Sequence, residues 1–248
     1  MKKKSLSAKK INHKNLFKYL KNPRINKIYN IFKKNLKIIK NNKKIAAAIS
    51  GGPDSLALAF FLKCYSLENK VKVYYYHLDH KLRNTSTVEA KELINMLKKF
   101  DIKCKLLNWY GKKPKSNIQA VARSKRYFYL FRESKNKNIN IILTAHHQND
   151  LYENFFIRIL RGSGLEGMVS FNSIQNKFNN NLILIRPLIN VKKKELVFIS
   201  KKIFNFYISD PSNEDEFYKR IRIRKIINKF KSEGLDLKKL NLTINNLT

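Results

Sequence analysis

The sequence predicts an α/β fold in which a twisted, mostly parallel sheet is flanked by helices. Short apolar runs without polar alternation indicate strands that are buried on both faces, as in parallel sheets. Segments with helix-like spacing of apolar residues separate these runs, so strands and helices alternate along the chain. Polar clusters follow the runs, at the carboxyl ends of the strands, where such sheets bind ligands. The functional site of this 248-residue chain is therefore expected on the carboxyl side of the sheet.

Four strand–helix units form the centre of this prediction. The predicted strands are Ile45–Ile49, Val71–His77, Ile102–Trp109 and Ile139–Ala145. The helices that follow them are predicted over Pro53–Tyr65, Ser86–Phe100, Ile118–Glu133 and Asn149–Leu160, and the second begins with a capping box, Ser86-Thr87-Val88-Glu89.

Different patterns flank this centre and divide the chain into three expected parts. Residues 1–43 form a basic N-terminal helical lead-in, whose helical spacing is interrupted near Pro23. Residues 44–190 form the ligand-binding domain, which ends with a predicted hairpin of Val169–Ile174 and Leu182–Ile185. Residues 191–248 form a small C-terminal helical appendage that completes the domain, with helices over Lys192–Phe204 and Phe217–Phe230.

Charge limits the class of partner. The formal net charge is +36, the pI is near 10.2, and basic residues are spread from Lys2 to Lys239. Such a field attracts polyanions, so nucleic acid is the first expected partner and an anionic membrane surface the second. Part of the surplus reflects composition, because Lys far outnumbers Arg and Asn is abundant, as in AT-rich genomes.

Hydropathy and cysteine content indicate in which type of cellular compartment the protein is expected. No apolar stretch is long enough to span a membrane, and the N-terminus lacks the apolar core of a signal peptide. The two cysteines, Cys64 and Cys104, form neither a disulfide framework nor a Cys-x-x-Cys pair. A reducing compartment is expected, either a cytoplasm or the stroma or matrix of an organelle.

The most informative motif is Ser50-Gly51-Gly52-Pro53-Asp54-Ser55, between the first predicted strand and its helix. It lacks the lysine of a Walker-type phosphate loop. Its glycines allow a sharp turn and the close approach of a ligand, and proline suits the first helical position. Free N–H groups at the helix start, together with two serine hydroxyls, favour binding of a pyrophosphate. The predicted binding residues are Ser50, Gly51, Gly52, Pro53, Asp54 and Ser55; the alternative is a turn that binds no ligand.

Carboxylates near this loop indicate a magnesium site. Asp54 would repel bound phosphates unless a divalent cation lay between them, so we predict that it is a Mg²⁺ ligand. Asp150 and Glu153 lie at i and i+3 of a predicted helix and project together, so they are candidates to share Mg²⁺ or to deprotonate an amine. The alternative is a paired core position, or an Asp150 that interacts with the helix dipole.

Histidine and arginine clusters follow other strands. His77 and His80 flank Asp79 at the end of the second strand, where the wall of a nucleotide pocket is favoured over a zinc site. Arg123 and Arg126, three apart on one helix face, are expected to clamp phosphates or an RNA backbone, unless that face is simply solvated. Three arginines of the last helix are spaced by two and are not all expected to face one ligand: Arg220, Arg222 and Arg224.

Together these motifs resemble the tRNA(Ile)-lysidine synthetases, which belong to the ATP-pyrophosphatase, or PP-loop, superfamily. The resemblance extends over about 44–225 and depends on the order and spacing of seven motifs, at 50–55, 77–86, 122–127, 146–153, 161–164, 186–188 and 210–213. It implies an adenine nucleotide alpha hydrolase-like PP-loop domain. Three positions depart from the family's usual residues: Asn149, Asn154 and Ile221.

The resemblance implies a ligase that uses ATP to adenylate the wobble cytidine of tRNA(Ile) with a CAU anticodon and then attaches L-lysine through its ε-amine. The product, lysidine, changes decoding from AUG to AUA. Residues 50–55 would hold the pyrophosphate, Asp54 and Asp150 would hold Mg²⁺, Glu153 would orient or deprotonate the lysine amine, and Arg123 would face phosphate or tRNA. No membrane partner and no further tRNA-binding domain are expected, and a homodimer stays open.

Other functions stay open at this level. A PP-loop enzyme that thiolates tRNA generally needs paired reactive cysteines or an iron–sulfur site, whereas Cys64 and Cys104 lie in ordinary helix and strand patterns. An inactive basic RNA-binding derivative would not release AMP from ATP, and Asp54, Asp150 and Glu153 argue against it. An amide-forming ligase that uses ammonia would not be stimulated by tRNA.

Overall fold

The computed structural model describes residues 13–39, 43–114, 116–172, 174–176, 182–210, 215 and 217–247. Within these residues the strands are β1 Lys44–Ala48, β2 Lys72–Asp79, β3 Cys104–Asn108, β4 Ile141–Leu143, β5 Ile174–Asn176 and β6 Ile183–Ile185. They form one sheet with the order β3-β2-β1-β4-β6-β5. Only β5 is antiparallel among these strands, and it lies at an edge. The predicted α/β fold with a parallel sheet is confirmed.

Helices cover the sheet and extend beyond it. They are α1 His13–Leu20, α2 Pro23–Asn35, α3 Pro53–Asn69, α4 Ser86–Lys99, α5 Ile118–Lys135, α6 Gln148–Ile159, α7 Leu165–Val169, α8 Lys193–Phe204, α9 Lys219–Ser232 and α10 Leu237–Asn246, with a 3-10 turn at Lys37–Ile39. In the described ranges no helix is long and apolar enough to cross a membrane.

Burial on both faces explains why the central strands are continuous apolar runs. Ile45 and Ala47 of β1 belong to the core that α2, α3 and α8 share, whereas Ala46 belongs to the core under α5. All three side chains are fully buried, because alternate residues of a strand face opposite layers. A third apolar cluster joins α6, α9 and α10, and it attaches the C-terminal helices beside the carboxyl side of the sheet.

The described part of the lead-in packs into the main core. Asn22 caps α2 by accepting hydrogen bonds from the N–H groups of Arg24 at 3.0 Å and Ile25 at 3.2 Å, which explains why the helical pattern is interrupted at this point. Phe32 of α2 is buried and stacks obliquely on Phe61 of α3, with ring centres 5.5 Å apart. The helical lead-in is thus confirmed over its described residues, which share the core of the sheet.

One strand prediction is wrong, and two helices, α7 and α10, were not predicted. The run 169–174 is not a single strand, because Val169 ends α7 and β5 begins only at Ile174. A short apolar run does not by itself distinguish a strand from a helix. Helix α10, over Leu237–Asn246, was not predicted individually. The predicted turn at 210–213 lies outside the described residues except for Asp210.

The predicted capping box at Ser86 is also wrong. Ser86 is the first residue of α4, and its hydroxyl donates to Asp79 Oδ1 at 2.8 Å, while the Thr87 hydroxyl donates to Oδ2 at 2.7 Å. Thr85 takes the cap position, and its hydroxyl donates to Glu89 at 2.8 Å. A buried carboxylate needs hydrogen bonds more than an exposed helix end does, so Asp79 takes these hydroxyls.

Candidate functional site

The strand order places two chain segments at the centre of the sheet. From β1 the chain proceeds to β2 and β3 on one side, and β4 then pairs with β1 on the other side. The loop 50–55 after β1 and the residues 144–147 after β4 therefore meet at a topological switch point, where open α/β sheets bind ligands. Every predicted site residue of these two segments lies on this carboxyl side of the sheet.

The loop 50–55 is organised around the hydroxyl of Ser55. This oxygen accepts from the Gly51 N–H at 3.0 Å, donates to the Gly52 carbonyl at 2.9 Å, and lies 3.2 Å from the Ser50 hydroxyl. Pro53 begins α3, as predicted, so the helix N-terminus opens at the loop. Turn, hydroxyls and helix end together form a cradle suited to phosphate groups.

Gly51 is required by both backbone conformation and space. Its φ is +90°, and its carbonyl accepts from the Ile208 N–H at 3.0 Å. An added Cβ would lie 2.5 Å from Ile208 Cδ1, whereas a Cβ on Gly52 would lie 3.8 Å from its nearest neighbour, Ser50 Oγ. A side chain at position 51 would therefore clash, whereas position 52 has room for one.

We expect Gly51→Ala to destabilise the fold by about 2 kcal/mol and Gly52→Ala to leave it nearly unchanged, because only the first substitution adds backbone strain and a clash. Urea unfolding of both variants measures the difference. Equal stability of the two variants would contradict the described loop geometry.

A buried histidine connects the two predicted magnesium ligands. His147 Nε2 lies 3.5 Å from Asp54 Oδ2, and its Nδ1 lies 3.4 Å from Asp150 Oδ2. Asp150 Oδ2 also accepts from the His147 N–H at 2.9 Å, which fixes the start of α6. One imidazole therefore separates the two carboxylates. The structure brings Asp54 and Asp150 to the same site, although they come from different strand–helix units.

The pKa values of His147 and Asp150 shift in opposite directions. Burial alone would lower the pKa of His147, but the hydrogen bond with Asp54 and the charge of Asp150 outweigh it and raise that pKa. Burial alone would raise the pKa of Asp150, but the charge of His147 and the hydrogen bond from its backbone N–H lower it. His146 differs: burial and nearby arginines lower its pKa to about 3, so its imidazole is neutral.

The two histidines are expected to give opposite pH dependences of stability. A raised histidine pKa contributes stability that is present below the unfolded pKa of about 6.5 and is lost as pH rises through the folded value. The deficit of His147→Gln relative to the wild type should therefore be largest near pH 6 and should shrink above it. For His146→Gln the sign reverses, and the variant should gain on the wild type as pH falls from about 7 to 5. Urea unfolding of both variants and the wild type at several pH values measures these differences. Free energies of unfolding that change with pH in the same way for both variants would contradict the opposite pKa shifts of the two histidines.

Glu153 lies one turn further along α6 and pairs with α9. Arg224 Nε donates to Glu153 Oε1 at 2.5 Å, and Nη2 lies 3.5 Å from Oε2. Arg220 Nη1 lies 3.7 Å from Asp150 Oδ1. Burial raises the pKa of Glu153, and the hydrogen bond from Arg224 opposes that rise. Arg222 donates instead to the Phe217 carbonyl at 2.7 Å, so the three arginines do not all face one ligand, as expected from their spacing.

The other predicted arginines add positive charge at this site. Arg123 is half-buried, with its guanidinium 5.2 Å from the ring centre of Tyr127. Burial lowers the pKa of Arg126, and the charges of Arg123 and Arg220 lower it further, which places these three cations near one another. Mutual repulsion of this kind favours a bound anion.

The cluster at the end of β2 supports the backbone. Asp79 is buried, and in addition to the two hydroxyls of α4 it accepts from the Lys81 N–H at 2.8 Å. His77 Nδ1 lies 2.8 Å from the Ile49 carbonyl, directly before the phosphate loop, and burial lowers its pKa. The His80 ring meets the Trp109 ring edge-on, with ring centres 6.1 Å apart. Burial lowers the pKa of His80 to about 4.

The residues present fit a magnesium ion. Asp54 Oδ1 is buried and has no hydrogen-bond partner among the described residues, although it lies beside a phosphate cradle. Mg²⁺ is usually held by one or two carboxylates together with phosphate oxygens and water, and Asp54 supplies one carboxylate directly. Asp150 lies at the other nitrogen of the His147 imidazole, so both carboxylates would hold one ion only if that ring moved. Within the described part of the chain no group of three His, Cys, Asp or Glu side chains is arranged to hold a metal.

Sequence reasoning missed three features of this site. It did not assign His147 as the link between Asp54 and Asp150, and it did not pair Arg220 and Arg224 with the carboxylates of α6. A signal existed for the arginines, because their i, i+4 spacing matches the i, i+3 spacing of Asp150 and Glu153. For His147 the sequence offered two adjacent histidines and no criterion between them.

Comparison with known proteins agrees with this geometry. A family model described as PP-loop domain matches residues 20–230. The tRNA(Ile)-lysidine synthase of Orientia tsutsugamushi (strain Boryong) is 38% identical over 186 residues, which cover 75% of this chain and 42% of that protein. The tRNA(Ile)-lysidine synthase of Bradyrhizobium diazoefficiens is 31% identical over 204 residues, covering 82% and 56%. The chain thus spans about half the length of these relatives.

A solved structure shows the same fold. NcsA from Methanococcus maripaludis, a U34-tRNA thiolase with its 4Fe–4S cluster, superposes with a TM-score of 0.72 at 18% identity, covering 87% of this chain and 75% of that one. At this identity the likeness concerns the fold alone. The match to the family model, in contrast, runs through the phosphate loop, both carboxylates and the arginines of α9. The predicted superfamily is confirmed, and the chain belongs to the PP-loop domain family.

Proposed function

We propose that this protein modifies tRNA(Ile) with a CAU anticodon, using ATP to adenylate the wobble cytidine and L-lysine to replace the adenylate, with lysidine as the product. One observation carries the proposal: Asp54 of the phosphate loop and Asp150 of α6 lie on the two sides of His147, directly beside the Glu153–Arg224 pair. The names of the relatives, tRNA(Ile)-lysidine synthase, support this choice of substrate.

The proposed reaction has two steps. The C2 oxygen of the cytidine attacks the α-phosphate of ATP, and pyrophosphate leaves into the cradle of residues 50–55. The ε-amine of lysine then attacks C2, loses a proton, and AMP leaves. In this scheme Asp54 and Asp150 would hold Mg²⁺, which would supply positive charge beside the phosphates.

Two further side chains of the site, Arg123 and Glu153, have proposed roles in binding and proton transfer. Arg123 is proposed to face the phosphates or the tRNA, since it belongs to the cluster of cations near Asp150. Glu153 is proposed to orient the lysine amine or accept its proton, and the raised pKa of its carboxyl suits proton transfer. The Glu153–Arg224 contact would have to open or shift for that role, because both carboxylate oxygens face the guanidinium.

The same proposal covers organisation and partners. Residues 44–190 would form the catalytic domain, 1–43 its basic extension, and 191–248 the segment that completes the site through α9. A homodimer stays open, and sedimentation velocity of the purified chain would distinguish it from a monomer. The reaction belongs where tRNA is present, in a cytoplasm or in the stroma or matrix of an organelle.

Thiolation is not favoured by the cysteines. Both are buried, and burial raises the pKa of Cys64 and of Cys104 to about 12, so neither is a thiolate at neutral pH.

The test is ATP-dependent incorporation of labelled L-lysine into unmodified tRNA(Ile) with a CAU anticodon, followed by nucleoside mass analysis. Lysidine is the expected product. Release of AMP without lysine transfer would retain adenylation and reject lysine as the nucleophile. Binding of tRNA without any release of AMP would favour the inactive RNA-binding derivative.

A further inference from the structure

Lys81 and Tyr110 form a cation–aromatic pair on the carboxyl side of the sheet. Asp79 of β2 and Asn108 of β3 lie opposite each other in register, and the chain continues two residues beyond each to Lys81 and Tyr110. Lys81 Nζ lies 4.6 Å from the ring centre of Tyr110. The tyrosine is 72% exposed, although it directly follows the buried Trp109. The pair is therefore held in place yet accessible.

The backbone under this pair is firmly anchored. Lys81 adopts φ +51°, a left-handed conformation that is unfavourable for a residue with a side chain. Its N–H donates to the buried carboxylate of Asp79 at 2.8 Å, and two hydroxyls of α4 hold the same carboxylate. The bonds to Asp79 therefore fix the backbone from which the Lys81 side chain extends.

The position of the pair relates it to the phosphate loop. Strand β3 lies two strands from β1, which corresponds to roughly 10 Å at the usual strand spacing. Loop 50–55, Lys81 and Tyr110 all follow the carboxyl ends of their strands. A substrate that reaches Asp54 with one nucleotide would therefore bring neighbouring nucleotides toward Tyr110.

The chemistry of the pair suits an unpaired base. Proteins bind single-stranded RNA by stacking bases on aromatic rings and by placing cations along the backbone. Tyr110 offers an exposed ring, and Lys81 offers a cation beside it. With 53 basic and 17 acidic residues, the chain as a whole attracts polyanions.

We propose that Tyr110 stacks on an unpaired base of the RNA substrate, next to the nucleotide that is modified, while Lys81 contacts its phosphate. The identification of the ligand as RNA rests on the proposed function. Neither side chain reaches the reacting atoms, so both act in binding and positioning.

The test uses the full chain and a fluorescent, unmodified anticodon stem-loop with a CAU anticodon, with binding followed by anisotropy in the absence of ATP. We expect Tyr110→Ala to weaken binding about tenfold, and Tyr110→Phe to keep wild-type affinity, because the ring alone stacks. Lys81→Gln should reduce the slope of log affinity against log salt by about one.

Phe128→Ala is the matched control. Phe128 is another exposed aromatic residue flanked by cations, with Lys125 Nζ and the Arg132 guanidinium each 5.9 Å from its ring centre on α5. We expect its removal to leave stem-loop affinity unchanged. An equal loss in both variants would overturn the assignment to the carboxyl side of the sheet. Unchanged stem-loop affinity in Tyr110→Ala would overturn the proposed stacking. So would a loss of affinity in Tyr110→Phe equal to that in Tyr110→Ala.

Two further readouts separate this inference from competing explanations. A raised KM for ATP in Tyr110→Ala, with unchanged RNA affinity, would mean that the ring stacks on adenine, and it would overturn the proposal. If the wild type transfers no lysine and Tyr110→Ala still loses RNA affinity tenfold, the proposed lysidine reaction is wrong and the stacking of Tyr110 on RNA is supported. If the wild type forms lysidine and Tyr110→Ala binds RNA normally, only the stacking of Tyr110 is wrong.

Discussion

Asp54→Asn is expected to lower tRNA-dependent release of AMP from ATP by about 10²-fold to 10³-fold, with the fold intact. Asparagine preserves the shape of the side chain at the start of α3, so the loop 50–55 and its contacts to Ser55 should persist. The charge is lost, however, and with it one ligand of the proposed Mg²⁺ and one partner of His147. A weakened cation site would offset less of the charge that develops on the transferred phosphate, although the nearby arginines and the N-terminus of α3 remain.

Steady-state release of AMP at a series of Mg²⁺ concentrations measures this effect. Partial recovery of Asp54→Asn at high Mg²⁺ would support a weakened cation site. Glu92→Gln serves as the control, since it removes an exposed carboxylate of α4 in the same manner. Activity of Asp54→Asn within about twofold of the Glu92→Gln value would remove Asp54 from the mechanism.

Arg224→Leu is expected to destabilise the protein by about 3 kcal/mol near pH 7. Glu153 is 1% exposed, and Arg224 faces both of its oxygens, so removal of the arginine leaves a buried carboxylate without its cation. The carboxyl pKa, already raised by burial, would rise further. A raised carboxyl pKa stabilises the fold in acid and ceases to do so as pH rises through the folded value, so the deficit should shrink toward about pH 4.

Urea unfolding at several pH values tests this prediction. Combining Arg224→Leu with Glu153→Gln should recover much of the stability, because the buried charge is then absent. Arg222→Leu is the matched control on the same helix, and its loss should stay within about 0.5 kcal/mol. Equal stability of the Arg222 and Arg224 variants would show that the pair with Glu153 does not support the packing of α9 on α6.

Much of this protein follows from the sequence alone. The alternation of apolar runs and helical segments determines the parallel sheet, because period and burial are local properties of a strand or helix. The loop 50–55 is likewise a local pattern, since its glycines, proline and hydroxyls serve a turn and the helix that follows it. The i, i+3 spacing of Asp150 and Glu153 also placed both carboxylates on one helix face in advance.

Only the tertiary structure decided how these parts meet. That His147 stands between Asp54 and Asp150, and that Arg224 reaches Glu153, depends on β4 pairing with β1 and on α9 packing against α6. Ser86 and Thr87 bind Asp79 instead of capping their helix for the same reason. No periodicity encodes contacts between residues that are distant in the chain, and a buried charge takes the partners that the packed fold brings within reach.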